Sequence, residues 1–420
     1  MRSIFLIARK SLASHALSTW VTVLSVALGV GLVMAVFSVS SQSSAAFAGG
    51  PVGFDAVLGA RGSKLQLVLN TVFHLETSPG NIPWTIYEEM KKDSRIELAI
   101  PYAVGDNYRG YRIVGTTTEL FTDFELEEGE PFVIPAPGRV FSEDKMEAVI
   151  GATVARELGL RIGDVIRPYH GVVFDKNQQH AEQYVIVGVM EPTNSPSDRV
   201  LWIPIEGIFR MEGHVLRGSG EEYQPSPTEV IDDVHKEIGA VMLKFRGRNL
   251  QTGQLLSHTI NRQGKSYTLA WPIGSVMLEL FQKLGWVSKV LEMVAYLVVA
   301  VAAGGILASL TNSMNERRRE FAILRALGAK RRTVFAAILC EAGSIAALGA
   351  LVAFPVAYLI LFVAAQVVRA ETGVVLDPFA AHPVFWMASV GAVLLGLAAG
   401  VLPATQAYST EVAKHLDGTL

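Results

Sequence analysis

The stretch MVAYLVVAVAAGGILASLTNSMN (residues 293–315) runs directly into ERRREFAILRALGAKRR (316–332). The first part holds no Asp, Glu, Lys or Arg, and the second holds seven bases against two acids. A helix of about 20 residues crosses the hydrocarbon core of a bilayer. Short loops rich in Lys and Arg stay on the cytoplasmic side. The junction therefore reads as a membrane span that ends in the cytoplasm.

The same signature recurs outward from this point. No charge lies between Lys10 and Asp55, from Ala342 to Val368, or from Pro378 to Thr410. Spans are expected near Ala16–Phe37, Met293–Met314, Ser344–Val367 and Val384–Leu402. The N-terminus carries Arg2, Arg9 and Lys10, whereas the short loop between the last two spans has Arg369 against Glu371 and Asp377. Four spans with both termini in the cytoplasm satisfy every count. Ala46-Phe47-Ala48 has the form of a signal-peptide cleavage site, but a signal core is about 7–15 residues and this apolar run is longer. The first span is expected to be retained.

That topology places residues 41–285 outside the cytoplasm with 23 bases and 31 acids, while the rest of the chain has 13 bases and 8 acids. The overall charged fraction of 18% is below the ~25% of soluble domains because the deficit sits in the four windows. The fold class is a membrane protein of four transmembrane helices, arranged 1+3, with a large α+β domain inserted after the first. The expected boundaries are a cytoplasmic N-terminus (1–15), helix one (16–40), the outer core domain (41–274) and a stalk with helix two (275–314). A cytoplasmic coupling loop (315–333), helix three (334–368), a short outer loop (369–382), helix four (383–405) and a cytoplasmic tail (406–420) follow.

Within the outer domain, Ser63–His74 and Pro83–Ser94 read as helices, Pro83 being suited to a first helical turn. Ile96–Val104 and Tyr108–Gly115 read as strands around a Gly105-Asp106-Asn107 turn. Ala148–Ile150, Ile162–His170, Gln183–Met190, Val200–Pro204, Ala240–Arg246 and Ser266–Trp271 are further strands. Ala152–Leu158 is a short helix and Gly218–Thr228 a loop. After Pro272, Met277, Leu280, Phe281, Leu284, Val287, Leu291 and Val294 recur at helical spacing. One helix is therefore expected to run from the outer domain into span two.

Chemistry-bearing motifs are sparse. Thr259–Ser266 approximates a phosphate-binding loop but lacks its first glycine and precedes a strand, not the helix such a loop needs. No H-E-x-x-H or G-x-S-x-G occurs, which leaves the commonest hydrolase signatures absent. The outer histidines, His74, His170, His180, His214, His235 and His258, are scattered, so no metal site is expected. His170, His180 and Glu182 form the most suggestive group. Cys340 is the sole cysteine, which excludes an intrachain disulfide, and the net charge of −3 argues against nucleic acid as a partner. Glu341, an ionisable group at the start of span three, is expected to pair with an Arg of the preceding loop. Gly396 and Gly400 form a G-x-x-x-G suited to close helix–helix packing.

In 315–332, Phe321, Leu324 and Leu327 share one helical face with Ile323 beside them, and Gly328 is placed to end the helix. Such a basic amphipathic helix either rests on anionic lipid or docks a cytoplasmic partner.

At this loop the sequence resembles the MacB/FtsX/LolC-type ABC transporter permeases. Their loop reads close to N-E-R-x-x-E-x-x-x-x-[RK]-[AT]-[LIM]-G-A, and Asn315, Glu316, Arg317, Glu320, Arg325, Ala326, Leu327, Gly328 and Ala329 fit it. Residues 149–166 resemble a G-x-x-x-A-x-x-L-[GF]-x-x-x-G-D segment of the family's periplasmic core domain, and 183–190 the strand that follows. Residues 402–407 resemble the end of its last span. The resemblance implies a non-catalytic inner-membrane subunit that pairs with a second permease, identical or related, and docks a cytoplasmic ABC ATP-binding subunit. Arg317, Arg318, Arg319, Glu320, Phe321, Leu324, Arg325, Leu327 and Gly328 are the implied docking residues. The chain itself would bind no cofactor; ATP and magnesium would sit on the ATPase, acting in trans. The implied activity is ATP-driven movement of the periplasmic domain that exports or extracts a lipoprotein, peptide or other amphipathic substrate, with a periplasmic partner possible. Two alternatives stay open: an FtsX-like regulator of a cell-wall hydrolase, and a small-solute or metal transporter.

Overall fold

The computed structural model describes residues 2–48, 53–127, 129–171, 174–175, 178–211, 230–317, 320, 323, 325, 328–380 and 382–409. The chain divides into two bodies. One comprises Met1–Ser43, Leu284–Gln366 and Asp377–Leu420; the other comprises Ser44–Lys283 and Val367–Leu376.

The second body is built on a mixed sheet of ten strands. In chain order these are β1 (Ala56–Ala60), β2 (Ile96–Tyr108), β3 (Tyr111–Thr116), β4 (Glu147–Ile150), β5 (Val165–Ile166), β6 (Tyr169–His170), β7 (Tyr184–Val189), β8 (Val200–Pro204), β9 (Ala240–Phe245) and β10 (Tyr267–Ala270). The spatial order is β10-β1-β9-β2-β3-β8-β4-β7-β5, and β6 pairs with β2. Pairs β8–β3 and β7–β4 are parallel; the others are antiparallel.

Both faces of this sheet are covered, which explains why its strands read as nearly continuous apolar runs. Leu58, Ile113, Ala148, Ile150, Leu201, Ile203, Val241 and Leu243 enter one core. Their neighbours Val57, Val114, Val149, Val200, Trp202 and Met242 enter the other. This is the period-two alternation of a strand. Helix Lys64–Thr71 buries Leu67 and Val68 and is capped by Ser63, whose hydroxyl accepts from the Gln66 N–H at 3.4 Å. Helix Ala152–Leu158 ends at Gly159 with φ +67°, the left-handed stop that favours glycine.

Three sequence expectations need correction here. The β2–β3 hairpin does not turn at Gly105–Asn107. The strand continues through these residues, and the turn is Arg109-Gly110, with φ of +51° and +89° between paired Tyr108 and Tyr111. Two positive φ angles match the right-handed twist of a hairpin. Gly105 instead falls where the register shifts between Val104 and Asp106, the bulge role of a glycine inside a strand. Ile162–His170 is not one strand. Pro168, which has no N–H to donate, separates β5, paired with β7, from β6, paired with β2. Pro83 lies before its helix rather than in the first turn: it pairs with Glu237 and precedes Trp84–Lys92.

The near phosphate loop is a π-helical turn, Thr259–Gln263, followed by strand β10. Asn261 ties the two together, accepting from the Leu269 N–H and donating to the Leu269 carbonyl, both at 2.9 Å. The expected loop Gly218–Thr228, His214 and the tail beyond Ser409 lie outside the described residues.

Among the described residues, four helices are long and apolar enough to cross a membrane: Ala16–Phe47, Gly285–Glu316, Arg331–Thr372 and Pro383–Gln406. The helical segments outrun the expected spans, because apolar composition marks only the part of a helix that needs lipid while backbone hydrogen bonding continues past it. The helix Ile273–Glu316 is one piece of 44 residues, about 66 Å long at 1.5 Å per residue. A further helix, Arg2–Ser14, precedes the first span.

Small residues set the packing of these helices. A Cβ added to Gly349 would meet Val26 Cγ1 at 2.5 Å, and one added to Gly31 would meet Val356 Cγ1 at 2.8 Å, so helices one and three touch at both positions. Ala342, Ala346, Ala350, Ala353 and Ala357 form the buried stripe of helix three. Apolar contact gives no special driving force between helices in lipid, so close backbone approach through small residues supplies the attraction.

Candidate functional site

The motif loop begins where helix Ile273–Glu316 stops. Asn315 and Glu316, expected to open the loop, belong to this helix; Arg317 is the first residue after it, and its N–H donates to the Ser313 carbonyl at 3.1 Å, continuing the helical pattern by one residue. Its side chain turns inward and is only 11% exposed. The guanidinium donates through Nε to Glu320 at 3.0 Å and through Nη1 to the Ser11 hydroxyl. Nη1 also lies 3.8 Å from the Glu341 carboxylate. Ser11 in turn donates to Glu341 at 2.7 Å. Ser11 and Glu341 are both buried. One ionic cluster thus joins the N-terminal helix, the start of the loop and helix three.

A second polar set lies beside it. His15 Nε2 is 2.8 Å from Glu316, and Asn312 donates to the same carboxylate at 3.1 Å. Ser18 and Ser309 exchange a hydrogen bond at 3.1 Å. The junction of the N-terminal helix and helix one, at His15 and Ser18, is therefore bonded to the end of helix two at successive turns. Burying a carboxylate is costly unless it is paired, which is why Glu341 stood out in the sequence and why an Arg of the preceding loop answers it. Ser11 and His15 were missed. Nothing in their local pattern signals a partner some 300 residues away.

Of the remaining loop residues, Glu320 is largely exposed and Arg325 is half-buried. Gly328 takes φ +98° and donates to the Arg325 carbonyl at 3.0 Å. This backbone conformation favours glycine, and helix three begins at Arg331. Arg318, Arg319, Phe321, Leu324 and Leu327 lie outside the described residues.

Gly396 and Gly400 face helix three. A Cβ on Gly396 would meet Ala346 Cβ at 2.4 Å, and one on Gly400 would meet Ala342 Cβ at 2.6 Å. Ile306 and Leu310 of helix two close the same contact at 3.5 Å and 3.8 Å. These glycines pack helices within the chain, against Ala342 beside Glu341 and Ala346 a turn further on.

Two family models match the chain. Residues 19–241 match the MacB-like periplasmic core domain, and residues 292–412 match the FtsX-like permease C-terminal region. The chain belongs to the MacB/FtsX-type ABC transporter permeases. Such a permease is embedded in the membrane, works with a cytoplasmic ATPase and is generally non-catalytic itself. The permease match at 292–412 contains Arg317, Glu341, Gly396 and Gly400, whereas Ser11 and His15 precede both matched regions.

Among solved structures, the permease is similar to the periplasmic region of MacB from Actinobacillus actinomycetemcomitans, at 11% identity and a TM-score of 0.33, over 55% of this chain and 94% of that one. It is also similar to the extracellular domain of the noncanonic ABC-type transporter YknZ from Gram-positive bacteria, at 12% identity and a TM-score of 0.29, over 51% of this chain and 97% of that one. No curated protein matches it.

Proposed function

We propose that this permease sits in the inner membrane with both termini in the cytoplasm and the sheet body in the periplasm. A separate ATP-binding subunit docks on residues 315–333. Phe321, Leu324 and Leu327 fill an apolar groove on it, and Arg317, Arg318, Arg319 and Arg325 meet its acidic rim. ATP and magnesium are held by that subunit. Two permeases, identical or related, complete the transporter. The work done is movement of the periplasmic body, which exports or extracts a lipoprotein, peptide or other amphipathic substrate.

The observation that carries this reading is the uninterrupted helix Ile273–Glu316. It begins with Ile273, Val276 and Met277 buried in the sheet core and ends one residue before Arg317. A displacement of the loop is thereby delivered along one helix toward the sheet body. The scarcity of ionisable groups in the four spans fits a substrate handled outside the bilayer, since a polar path through it needs polar lining. Affinity capture of the tagged chain from its native membrane tests the assembly. An ATP-binding subunit and vanadate-sensitive ATP hydrolysis are expected in the eluate; their absence under conditions that preserve the dimer would overturn it.

A further inference from the structure

Asp106, His170 and His180 converge at one place in the sheet body. Asp106 of β2 pairs directly with His170 of β6. The His170 N–H donates to the Gln178 carbonyl at 2.7 Å, and the His180 N–H donates to the Pro168 carbonyl at 2.9 Å. The chain from 168 to 180 is therefore a closed loop with both imidazoles at its neck. The Asn107 side chain holds that neck to β2 by donating to the Gly171 carbonyl at 2.7 Å.

The distances fit a metal ion. Asp106 Oδ1 is 3.3 Å from His180 Nε2 and 3.6 Å from His170 Nδ1. A tetrahedral zinc with bonds of about 2.0–2.2 Å sets its ligand atoms about 3.3–3.6 Å apart. Two edges already have that length. The third, between the imidazole nitrogens, is within 4.8 Å. Rotation of His170, whose side chain is 52% exposed, shortens it. Asp106 has no exposed surface and His180 very little. Buried carboxylates are paired or coordinate metals, and a divalent ion held here would supply the matching charge. Glu182 lies 4.0 Å from His180 Nδ1, the ring nitrogen turned away from Asp106. A carboxylate behind a ligating imidazole is the usual outer support of a zinc site.

We propose that Asp106, His170 and His180 bind a divalent transition-metal ion, with zinc as the ion that this donor set favours, and that the ion fastens the 168–180 loop to β2. Two imidazole nitrogens and one carboxylate oxygen leave a fourth position for water or an incoming ligand. The sequence groups His170 and His180 but not Asp106, which is 64 residues from His170 and is brought to it by strand pairing.

The test uses the full-length, tag-free permease in detergent, stripped with EDTA and titrated with zinc against a chromogenic chelator. One zinc per chain at micromolar affinity or tighter is expected. His170→Ala and Asp106→Asn should each weaken it at least tenfold, and Glu182→Gln by about tenfold. Cobalt should give visible absorption bands in the wild type that vanish in His170→Ala/His180→Ala. Because His170 is half exposed, His170→Ala keeps the fold, and an unchanged elution profile verifies this. Zinc binding that is absent from the wild type, or equal in wild type and His170→Ala, would overturn the site and leave only hydrogen-bonded imidazoles.

Discussion

The Ser11 hydroxyl donates to the Glu341 carboxylate at 2.7 Å, across 330 residues of chain. With Arg317 Nη1 3.8 Å from that carboxylate and donating to the same Ser11 hydroxyl, the bond fixes the N-terminal helix and the start of the motif loop to the same point of helix three. The loop proposed to receive the ATPase is rooted on one side in a buried ionic cluster.

Breaking that cluster asymmetrically should be costly. Arg317→Ala leaves Glu341 buried without its cation, and losing one partner of a buried pair costs about 3–5 kcal/mol. Thermal unfolding in detergent should show a large drop for Arg317→Ala. The double variant Arg317→Ala/Glu341→Leu should recover much of it, since both charges are then gone. Additive losses would place the value of Arg317 elsewhere, in Glu320 or in the loop itself.

Gly396 should tolerate no side chain larger than hydrogen. Valine there drives carbons into Ala346, and overpacking typically costs about 1–3 kcal/mol. Gly391, on the same helix with open space around its Cβ position, serves as the control. Gly391→Ala should leave the unfolding temperature unchanged while Gly396→Val lowers it, and Ala346→Gly should rescue Gly396→Val.

The four spans and the outer domain could be read from the sequence because lipid forbids charge and the charge-free windows were long. The strands Val200–Pro204 and Ala240–Phe245 were legible for a related reason, being apolar on both faces. Gly105 misled, because a glycine that permits a bulge looks the same in sequence as one that permits a turn. The two-residue pairings Ile82–Pro83 and Glu237–Ile238 are too short to leave a periodicity. Glu341 was visible as an ionisable group beside a span, but Ser11 was not, since a serine in a helix advertises no partner. Asp106 escaped for the same reason: its significance comes from strand register.

Mechanical continuity should depend on Gly285, inside helix Ile273–Glu316. A Cβ there meets nothing within 4 Å, so Gly285→Ala should be neutral or slightly stabilising, as alanine favours the helix. Gly285→Pro removes a backbone donor and costs about 3 kcal/mol or more of helix. ATPase binding should survive in Gly285→Pro, while substrate-dependent ATP turnover in the reconstituted complex is lost. Full coupling in the proline variant would argue against transmission through this helix.

Acid should weaken the sheet body through His74. Complete burial, reinforced by the charge of Arg112, lowers its pKa from 6.5 to about 3. A depressed pKa means the folded state refuses a proton that the unfolded state accepts. The contribution is full above pH 6.5 and is lost as pH falls toward 3, with a slope of at most about 1.4 kcal/mol per pH unit. Glu147, held down to about 2 by its bidentate Arg139 pair, loses its contribution only below pH 4.5. The interval between pH 6.5 and 5 therefore reports on His74. His74→Asn, compatible with its φ of +55°, should flatten the fall in unfolding temperature there. An equally steep fall in that variant would assign it to another group.

The docking claim is tested most directly by Leu324→Asp. The substitution places a charge among Phe321, Leu324 and Leu327, which share one helical face by sequence spacing, and lies outside the four spans. We expect the variant to reach the membrane at wild-type levels and to lose co-purification of the ATP-binding subunit at least tenfold, whereas Leu324→Met retains it. Recovery of the ATP-binding subunit with Leu324→Asp at the wild-type ratio would contradict the account.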